Sequence, residues 1–269
     1  MKNIILFGST GMLGNYVKKY LEKFYNIVVI KREDYNIEFP DIKLLENKIK
    51  SLLKDNTIII NCAGAIPQRN NLSENSKYIY INSLFPNHLN IISKKFDIKI
   101  IHITTDCVFS GEKGNYNEND DPDETNIYGI SKLLGENNEM CIIRTSIIGE
   151  EETNKKSLLE WVKSNKNSKI NGYTNHFWNG VTCYQLSKII YLMIKENNFW
   201  KGVKHIHSPN TVSKYELVSY INEIYELNII IDKFETNKID KSLSSLYEFD
   251  FDIPDIKTQI NEQKILSGI

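Results

Sequence analysis

Residues 3–14 read NIILFGSTGMLG, a short apolar run that passes directly into three glycines spaced three residues apart. The next ten residues place apolar side chains at three- and four-residue steps, which predicts an amphipathic helix. The order is therefore strand, tight turn, helix. In such a unit Gly8 allows the turn, Gly11 lets backbone N–H groups approach a pyrophosphate, and Gly14 lets the helix pack closely on the strand.

Strand and helix patterns continue to alternate after this unit. We predict further strands at 26–31, 57–61, 98–104 and 140–145, and helices at 41–54, 76–96 and 126–138. Alternation predicts parallel pairing with right-handed crossovers and helices on both faces of the sheet. Beyond residue 150 the rhythm loosens, with helices near 156–164, 184–196 and 214–225 and a strand at 228–231.

The expected fold is thus α/β, a doubly wound parallel sheet (Rossmann) with a small C-terminal substrate lobe. We place the nucleotide-binding domain at residues 1–150 and the substrate lobe at 151–269. The last thirty residues are less periodic, and we predict for them only partial cover of the lobe.

Composition excludes several classes of function. Apolar residues make up 41%, charged residues 25%, and the formal net charge is −1, which predicts neither a nucleic-acid nor a membrane partner. No segment reaches the roughly 20 apolar residues needed to span a bilayer. Four separated cysteines, without a CxxC pair or a histidine at ligand spacing, predict no metal site. We expect free thiols in a reducing, cytoplasmic compartment.

The end of the second predicted strand distinguishes between nicotinamide cofactors. An acidic residue there would bind the ribose 2′-hydroxyl of NAD, whereas this chain has Lys31 and Arg32, which suit a 2′-phosphate and predict NADPH. Glu33 and Asp34 follow closely, so a solvated surface cluster is the alternative. Small residues after the next strand are expected to border the nicotinamide-side ribose. The cofactor contacts predicted from these two regions and the glycine turn are Gly8, Thr10, Gly11, Met12, Leu13, Lys31, Arg32, Cys62, Ala63 and Gly64.

A phenol and an ammonium stand four residues apart at Tyr128 and Lys132, on one face of a predicted helix. A neighbouring cation stabilises a phenolate and lowers the pKa of the phenol, so the pair can protonate a forming alkoxide. Thr105 lies at the carboxyl end of a predicted strand, where open α/β sheets bind ligands, and its hydroxyl can hold the substrate oxygen. The three residues predict the reduction of a ketone.

Together these features resemble the short-chain dehydrogenase/reductase superfamily. The strings HITTDCVFSG (102–111), YGISKLLGE (128–136) and RTS (144–146) resemble its extended branch, specifically the dTDP-4-dehydrorhamnose reductase family, over about residues 1–225. The resemblance implies NADPH-dependent reduction of the 4-keto group of a UDP- or dTDP-linked 6-deoxyhexose, with or without a 2-acetamido group. It implies that Thr105, Tyr128 and Lys132 are catalytic, and that Asn82, Tyr128 and Lys132 belong to the cofactor site. Asn82 would organise the helix and water near Lys132.

Substrate contacts are expected on two segments. One follows Thr105 at the strand end; the other is the aromatic stretch before Gly180-Val181-Thr182, where the family has Pro-Thr and this chain replaces the proline with Val181. The predicted substrate-binding residues are Thr105, Asp106, Cys107, Val108, His176 and Trp178.

Cys107 departs from members that only reduce, which commonly carry tyrosine at this position. In GDP-L-fucose synthase and similar bifunctional enzymes, a cysteine two residues after the catalytic Ser or Thr epimerises the carbon beside the ketone. A 4-keto group acidifies the protons on C3 and C5, and a thiol with a pKa near 8.5 can exchange them. The resemblance therefore implies epimerisation at C3, or at C3 and C5, with Lys155, Lys156 or His176 as the second acid/base. The alternative is a small cysteine that only fills space.

Four other functions remain open at this point. One is a reductase without epimerase activity. A 4,6-dehydratase normally has Glu where Cys107 stands, and a 4-epimerase that retains NAD is disfavoured by Lys31 and Arg32. A non-catalytic NADP-binding regulatory subunit would usually lose Tyr128 or Lys132, both of which are present. Helices flanking Tyr128 often pair between subunits in the superfamily, which implies a homodimer.

Overall fold

The computed structural model of this chain describes residues 2–69, 75–153 and 155–267. In chain order its strands are β1 (Asn3–Phe7), β2 (Asn26–Ile30), β3 (Thr57–Asn61), β4 (Lys99–Thr105), β5 (Cys141–Thr145), β6 (Ile147–Ile148), β7 (Lys169–Tyr173), β8 (His176–Trp178), β9 (Val181–Thr182), β10 (Gly202–His205), β11 (Val212–Ser213), β12 (Ile230–Phe234) and β13 (Ile239–Asp240).

The helices are α1 (Met12–Leu21), α2 (Ile42–Leu52), α3 (Asn75–Tyr78), α4 (Phe85–Phe96), α5 (Ile127–Leu134), α6 (Leu158–Ser164), α7 (Cys183–Lys195), α8 (Lys214–Tyr225) and α9 (Ile256–Ser267). A π-helical turn at Ile79–Leu84 joins α3 to α4, and 3₁₀ turns lie at Pro67–Arg69 and Asp106–Val108. Within the described ranges, none of these helices combines the length and the apolar character that a membrane span requires.

Six parallel strands form the central sheet in the order β10-β5-β4-β3-β1-β2. Each residue of β1 is buried, and its side chains alternate between two apolar cores. Ile4 and Leu6 face the core shared with α1 and α7, whereas Ile5 and Phe7 face the core shared with α2 and α4. A strand covered on both faces needs a continuous apolar run, which is what this segment provides. The predicted doubly wound α/β fold is confirmed.

The strand order reverses at β1, because β2 pairs with one of its edges and β3 with the other. Ligands of open α/β sheets bind outside the carboxyl ends of the strands at such a reversal. The loops after β1 and β3 therefore meet where a cofactor site is expected.

The second half of the chain contributes both to the central sheet and to a separate core. Strand β10 pairs with β5, and α7 packs against α1. Helices α6, α8 and α9 share another apolar core with β7 and β8. The division at residue 150 remains a prediction. The sequence missed β7, β8 and α9, which lie in the aromatic stretch and in the last thirty residues.

Helix α5 ends four residues earlier than the sequence predicts. Its predicted range was 126–138, but the helix stops at Leu134 and Gly135 follows. A Cβ atom at Gly135 would lie 2.0 Å from the carbonyl oxygen of Asn82, so this position brings α5 against the π-helical turn. The close approach ties the helix of Tyr128 and Lys132 to its neighbour.

Candidate active site

The turn after β1 is closed by backbone contacts that only glycine permits. Gly8 has a φ of +77°, and a Cβ atom there would lie 2.5 Å from the nitrogen of Ala63, after β3. A Cβ atom at Gly14 would lie 2.0 Å from the oxygen of Gly8. Gly11 caps α1 without a side-chain hydrogen bond, so the first N–H groups of the helix remain available to an anion.

A cleft of about 650 Å³ opens at the carboxyl ends of β3, β4 and β5. It extends from the start of α1 to residues 156–158 and Lys241. Ten residues that the sequence selects for the cofactor or substrate line it together: Gly11, Met12, Leu13, Cys62, Gly64, Thr105, Asp106, Cys107, Tyr128 and Lys132.

Three predicted substrate contacts are not among the described residues that line this cleft. Val108 is buried in an apolar cluster with Phe109. His176 stacks on a tyrosine ring, and its Nε2 lies 2.7 Å from the hydroxyl of Thr236. The indole N–H of Trp178 donates to the hydroxyl of Ser146 over 2.7 Å. Their contact with a substrate remains a prediction.

The two cations after β2 are exposed and paired. The ammonium of Lys31 lies 3.4 Å from Glu33, and the guanidinium of Arg32 lies 2.7 Å from Glu38. Glu38 also lies 3.9 Å from the ammonium of Lys77. A phosphate at this position would compete with these carboxylates for the two cations.

Helix α5 presents both catalytic candidates to the cleft. Its first turn is capped by Asn126, whose side chain accepts from the N–H of Gly129 over 2.9 Å. Lys132 is 6% exposed, and a Cβ atom at Gly64 would lie 2.7 Å from its ammonium nitrogen. Burial lowers the pKa of Lys132 to about 8. Its charge is therefore sensitive to pH in the range where enzymes work.

The phenol of Tyr128 does not behave as the sequence predicts. Burial, followed by the interaction with Cys107, raises the pKa of Tyr128 above its usual value, so burial dominates in the free protein. A hydrogen bond from Thr105 acts in the opposite direction but is weaker. The phenol therefore rests protonated, which is the form that a proton donor requires.

Thr105, Asp106 and Cys107 form one hydrogen-bonded turn at the end of β4. The Thr105 hydroxyl and the Cys107 thiol both donate to Oδ1 of Asp106, over 3.1 Å and 3.5 Å, and the N–H of Cys107 donates to Oγ1 of Thr105 over 3.1 Å. Burial and then Asp106 raise the pKa of Cys107 to about 12. The thiol thus rests protonated and is less acidic than an ordinary cysteine thiol, whose pKa is near 8.5.

Asn82 connects α5 to the loop after β3. Its side-chain oxygen accepts from the N–H of Ala65 over 2.8 Å, and its amide donates to the oxygen of Ala65 and to the hydroxyl of Ser131, each over 3.0 Å. Asn82 lies in the π-helical turn, a feature often found at functional sites. This network holds Lys132 over Gly64, but no pattern in the sequence indicates the π turn.

Two lysines near Cys107 were missed by sequence reasoning. Lys241, from the last thirty residues, lines the cleft, and its ammonium pairs with Glu124 over 3.1 Å. Lys214, the first residue of α8, interacts most strongly with Asp106. Both lie far along the chain from the catalytic strings, so no local pattern marks them.

The sequence of this chain is similar to those of known proteins. The family model described as RmlD substrate binding domain matches residues 1–236. The chain is 31% identical to the probable low-salt glycan biosynthesis reductase Agl14 of Haloferax volcanii over 155 residues, which are 52% of each protein. It is 25% identical to methionine adenosyltransferase 2 subunit beta of Xenopus laevis over 249 residues, 84% of this chain and 73% of that protein. The match thus spans about half of the Agl14 reductase and about three quarters of the adenosyltransferase subunit.

The fold also matches a solved structure. The dTDP-4-dehydrorhamnose reductase from Bacillus anthracis, in complex with NADP, superposes with a TM-score of 0.84 at 20% identity, covering 99% of this chain and 100% of that one. At this identity the similarity concerns the fold, including the sheet that positions the cleft.

Proposed function

Since this chain belongs to the RmlD substrate binding domain family, we propose that it reduces the 4-keto group of a nucleotide-linked 6-deoxyhexose with NADPH, in deoxysugar biosynthesis. One observation carries the proposal: Thr105, Tyr128 and Lys132 line a single cleft with the glycine turn that begins α1. The similarity to a protein named as a glycan biosynthesis reductase supports it. In this proposal the sugar is linked to UDP or dTDP, and its C2 carries a hydroxyl or an acetamido group.

The residues present fit a dinucleotide phosphate. The glycine turn leaves no room for a Cβ atom at Gly8 or Gly14, and the start of α1 has no side-chain cap that would block an anion. The backbone of Gly11 and its two successors would hold the pyrophosphate. Lys31 and Arg32 would hold the 2′-phosphate after leaving their carboxylate partners. When bound, the reduced nicotinamide supplies the hydride.

In the proposed reaction the protein supplies a proton and holds the ketone. Thr105 binds the carbonyl oxygen through its hydroxyl, and the protonated phenol of Tyr128 donates its proton to the alkoxide oxygen that forms there. Lys132, one turn further along α5, stabilises the phenolate left on Tyr128 while its own ammonium is charged. Asn82 fixes the loop that faces this ammonium.

Epimerisation at the carbon beside the ketone is the finer part of the proposal. Cys107 lines the cleft directly beyond Thr105, which supports its contact with the sugar. Of the three residues considered as its acid/base partner, Lys156 lines the cleft, whereas Lys155 and His176 are not among the described residues that do so. We therefore assign the partner role to Lys156.

Solvent deuterium separates the two activities. We expect the wild type to incorporate deuterium at C3, or at C3 and C5, and to oxidise one NADPH per ketone reduced. Cys107→Ser should lose the incorporation, because an alcohol is a much weaker acid than a thiol, and should retain NADPH oxidation. Full NADPH oxidation without deuterium in the wild type would leave a reductase that does not epimerise.

The similarity to a protein named as a subunit, methionine adenosyltransferase 2 subunit beta, favours a second candidate, a non-catalytic regulatory subunit. In this chain such a subunit would bind NADP without turnover. The same assay discriminates, since such a subunit, like a 4,6-dehydratase or a 4-epimerase, shows no net oxidation of NADPH. Tyr128→Phe provides the internal control: a reductase loses activity, whereas a binding subunit keeps its role.

We also propose that the chain forms a homodimer. Apolar side chains on α4, α5 and the π-helical turn are exposed and adjoin the helix of Tyr128; they are Leu84, Ile91, Ile130 and Leu134. A monomeric mass by sedimentation at micromolar concentration would remove this part of the proposal.

A further inference from the structure

The end of β13 and the residues that follow it lead to the cleft and are held on both sides. The N–H of Asp240 donates to the oxygen of Gly111 over 2.7 Å, and the N–H of Lys241 donates to the oxygen of Phe177 over 3.3 Å. Two residues further on, Leu243 is buried in an apolar cluster. The backbone of Lys241 is therefore fixed between the turn after β4 and strand β8. This residue lies beyond residue 236, where the family match ends.

The side chain of Lys241 lines the cleft together with Cys107. It is 21% exposed, and its ammonium is held by Glu124 over 3.1 Å. Its partner Glu124 lies beside the turn of Cys107, because a Cβ atom at Gly129 would lie 2.4 Å from the backbone oxygen of Cys107 and 2.5 Å from Cγ of Glu124. Cys107 is the charge partner that most raises the pKa of Lys241, and the overall direction is upward although burial alone would lower it. The side chain therefore stays an ammonium through the pH range in which the protein would work.

Several charged or titratable groups surround the thiol of Cys107. Asp106 precedes it in the same turn, Tyr128 and Lys132 approach from α5, Lys214 from α8, and Lys241 from the segment after β13. Among the cations, Lys241 lowers the pKa of Cys107 the most. Lys214 instead places its ammonium 5.1 Å from the ring centre of Trp178 and interacts first with Asp106.

We propose that Lys241 is a positioning residue for Cys107, whose thiolate its ammonium stabilises during proton exchange with the carbon beside the ketone. When the thiolate acts as a base, the C–H bond breaks, an S–H bond forms and the electron pair moves onto the ketone oxygen as an enolate. When the thiol acts as an acid, the S–H bond breaks and the new C–H bond takes its proton. Either direction includes a thiolate, so either needs the nearby cation. The inference rests on the proposed epimerisation.

Thiol alkylation measures this interaction without any substrate. Only the thiolate reacts with iodoacetamide, so the rate at Cys107, followed by mass spectrometry of its peptide against pH, reports its pKa. Lys241→Met should raise that pKa and slow alkylation about tenfold at a given pH, as expected for one pKa unit. Lys241→Arg keeps the charge and should restore the rate.

Two further variants test the direction of the change in alkylation rate and whether it depends on the position of the lysine. Glu124→Gln removes the counter-charge of Lys241 but keeps an oxygen acceptor, so alkylation should become faster than in the wild type. Lys238→Met is the matched control: its ammonium pairs with Asp240 over 3.8 Å, its side chain is 58% exposed, and it is not among the described residues lining the cleft. It should leave the rate unchanged.

Equal rates in the wild type and in Lys241→Met, or equal slowing in Lys238→Met, would overturn the inference. If Lys241→Met does not fold, Glu124→Gln decides by its opposite sign, and an unchanged or slower rate there would also overturn it. A wild type that shows the Lys241 effect on alkylation but takes up no deuterium into the sugar would retain this pairing while the proposed epimerisation fails.

Discussion

The cleft has two walls that are built in different ways. The glycine wall consists of Gly11, Met12, Leu13, Cys62 and Gly64, and the thiol wall consists of Cys107 and Lys241. The glycine wall is formed by the turn after β1 with the first residues of α1, and by the loop after the adjacent strand β3. The thiol wall is made of side chains, one of which comes from the last thirty residues. Backbone geometry sets the first wall, and long-range packing sets the second.

This difference predicts how each wall responds to change. A clash with backbone atoms cannot be relieved by a rotamer change, whereas a clash with the end of a side chain can. Substitutions in the turn that shapes the glycine wall should therefore cost stability where the new atom meets backbone. Substitutions in the thiol wall change the charges around a protonated thiol. They should alter the reactivity of Cys107 more than the free energy of unfolding.

Gly14→Ala should destabilise the chain by about 3 kcal/mol, the upper range for overpacking. The new Cβ atom would lie 2.0 Å from the oxygen of Gly8 and 2.6 Å from its carbonyl carbon. Gly64→Ala is the matched control: Gly64 lies in the glycine wall itself, but its Cβ atom would meet the flexible end of Lys132 at 2.7 Å rather than backbone. It should cost less than about 1 kcal/mol. Urea unfolding without cofactor measures both, and equal losses would contradict the contrast.

The same contrast explains how far the sequence could predict the molecule. Strand β1 and the glycine turn are contiguous in the chain, and their apolar run and spacing indicate both the fold and the cofactor side. Thr105, Tyr128 and Lys132 follow from strand ends and helical spacing, and the structure brings them into one cleft with the glycine turn.

Burial and long-range packing could not be predicted from the sequence. The direction of the pKa shift at Tyr128 depends on desolvation by surrounding elements, which a spacing of four residues does not contain. Lys241 reaches the cleft because β13 pairs with β8, and two-residue strands leave no readable alternation. His176 and Trp178 were selected for aromatic crowding, a pattern that cannot separate a cleft from the packing that both side chains adopt.

Arg32→Ala tests the predicted 2′-phosphate contact, which exposed side chains make, whereas backbone forms the glycine turn. We expect the Michaelis constant for NADPH to rise about tenfold, because a charge-assisted contact to the 2′-phosphate is lost. The Michaelis constant for NADH should change little. Glu38→Gln should have the opposite effect, because it releases Arg32 from its 2.7 Å partner. Steady-state kinetics with both cofactors measures this, and equal changes for NADPH and NADH would reject the 2′-phosphate assignment.

The smallest expected effect concerns Lys132, whose ammonium lies against Gly64 in the glycine wall while its helix carries Tyr128. Its pKa is lowered to about 8, so the ammonium is charged below that pH and neutral above it. If proton delivery needs the charge, kcat/KM should fall to about half its plateau value near pH 8, as expected for a single titrating group. A lysine with its ordinary pKa would keep the profile flat to about pH 10, and that result would remove Lys132 from this role.

Stability should change in the opposite direction over the same range. Because burial lowers the pKa of Lys132, the unfolded chain binds more protons than the folded chain between about pH 8 and the usual lysine value. The free energy of unfolding of the wild type should therefore increase with pH in this window relative to Lys132→Met, which has no charge to bury. Urea unfolding of both proteins at pH 7 and pH 10 measures the difference. Falling activity together with rising relative stability identifies the buried ammonium as the titrating group, whereas parallel changes would indicate a general loss of structure.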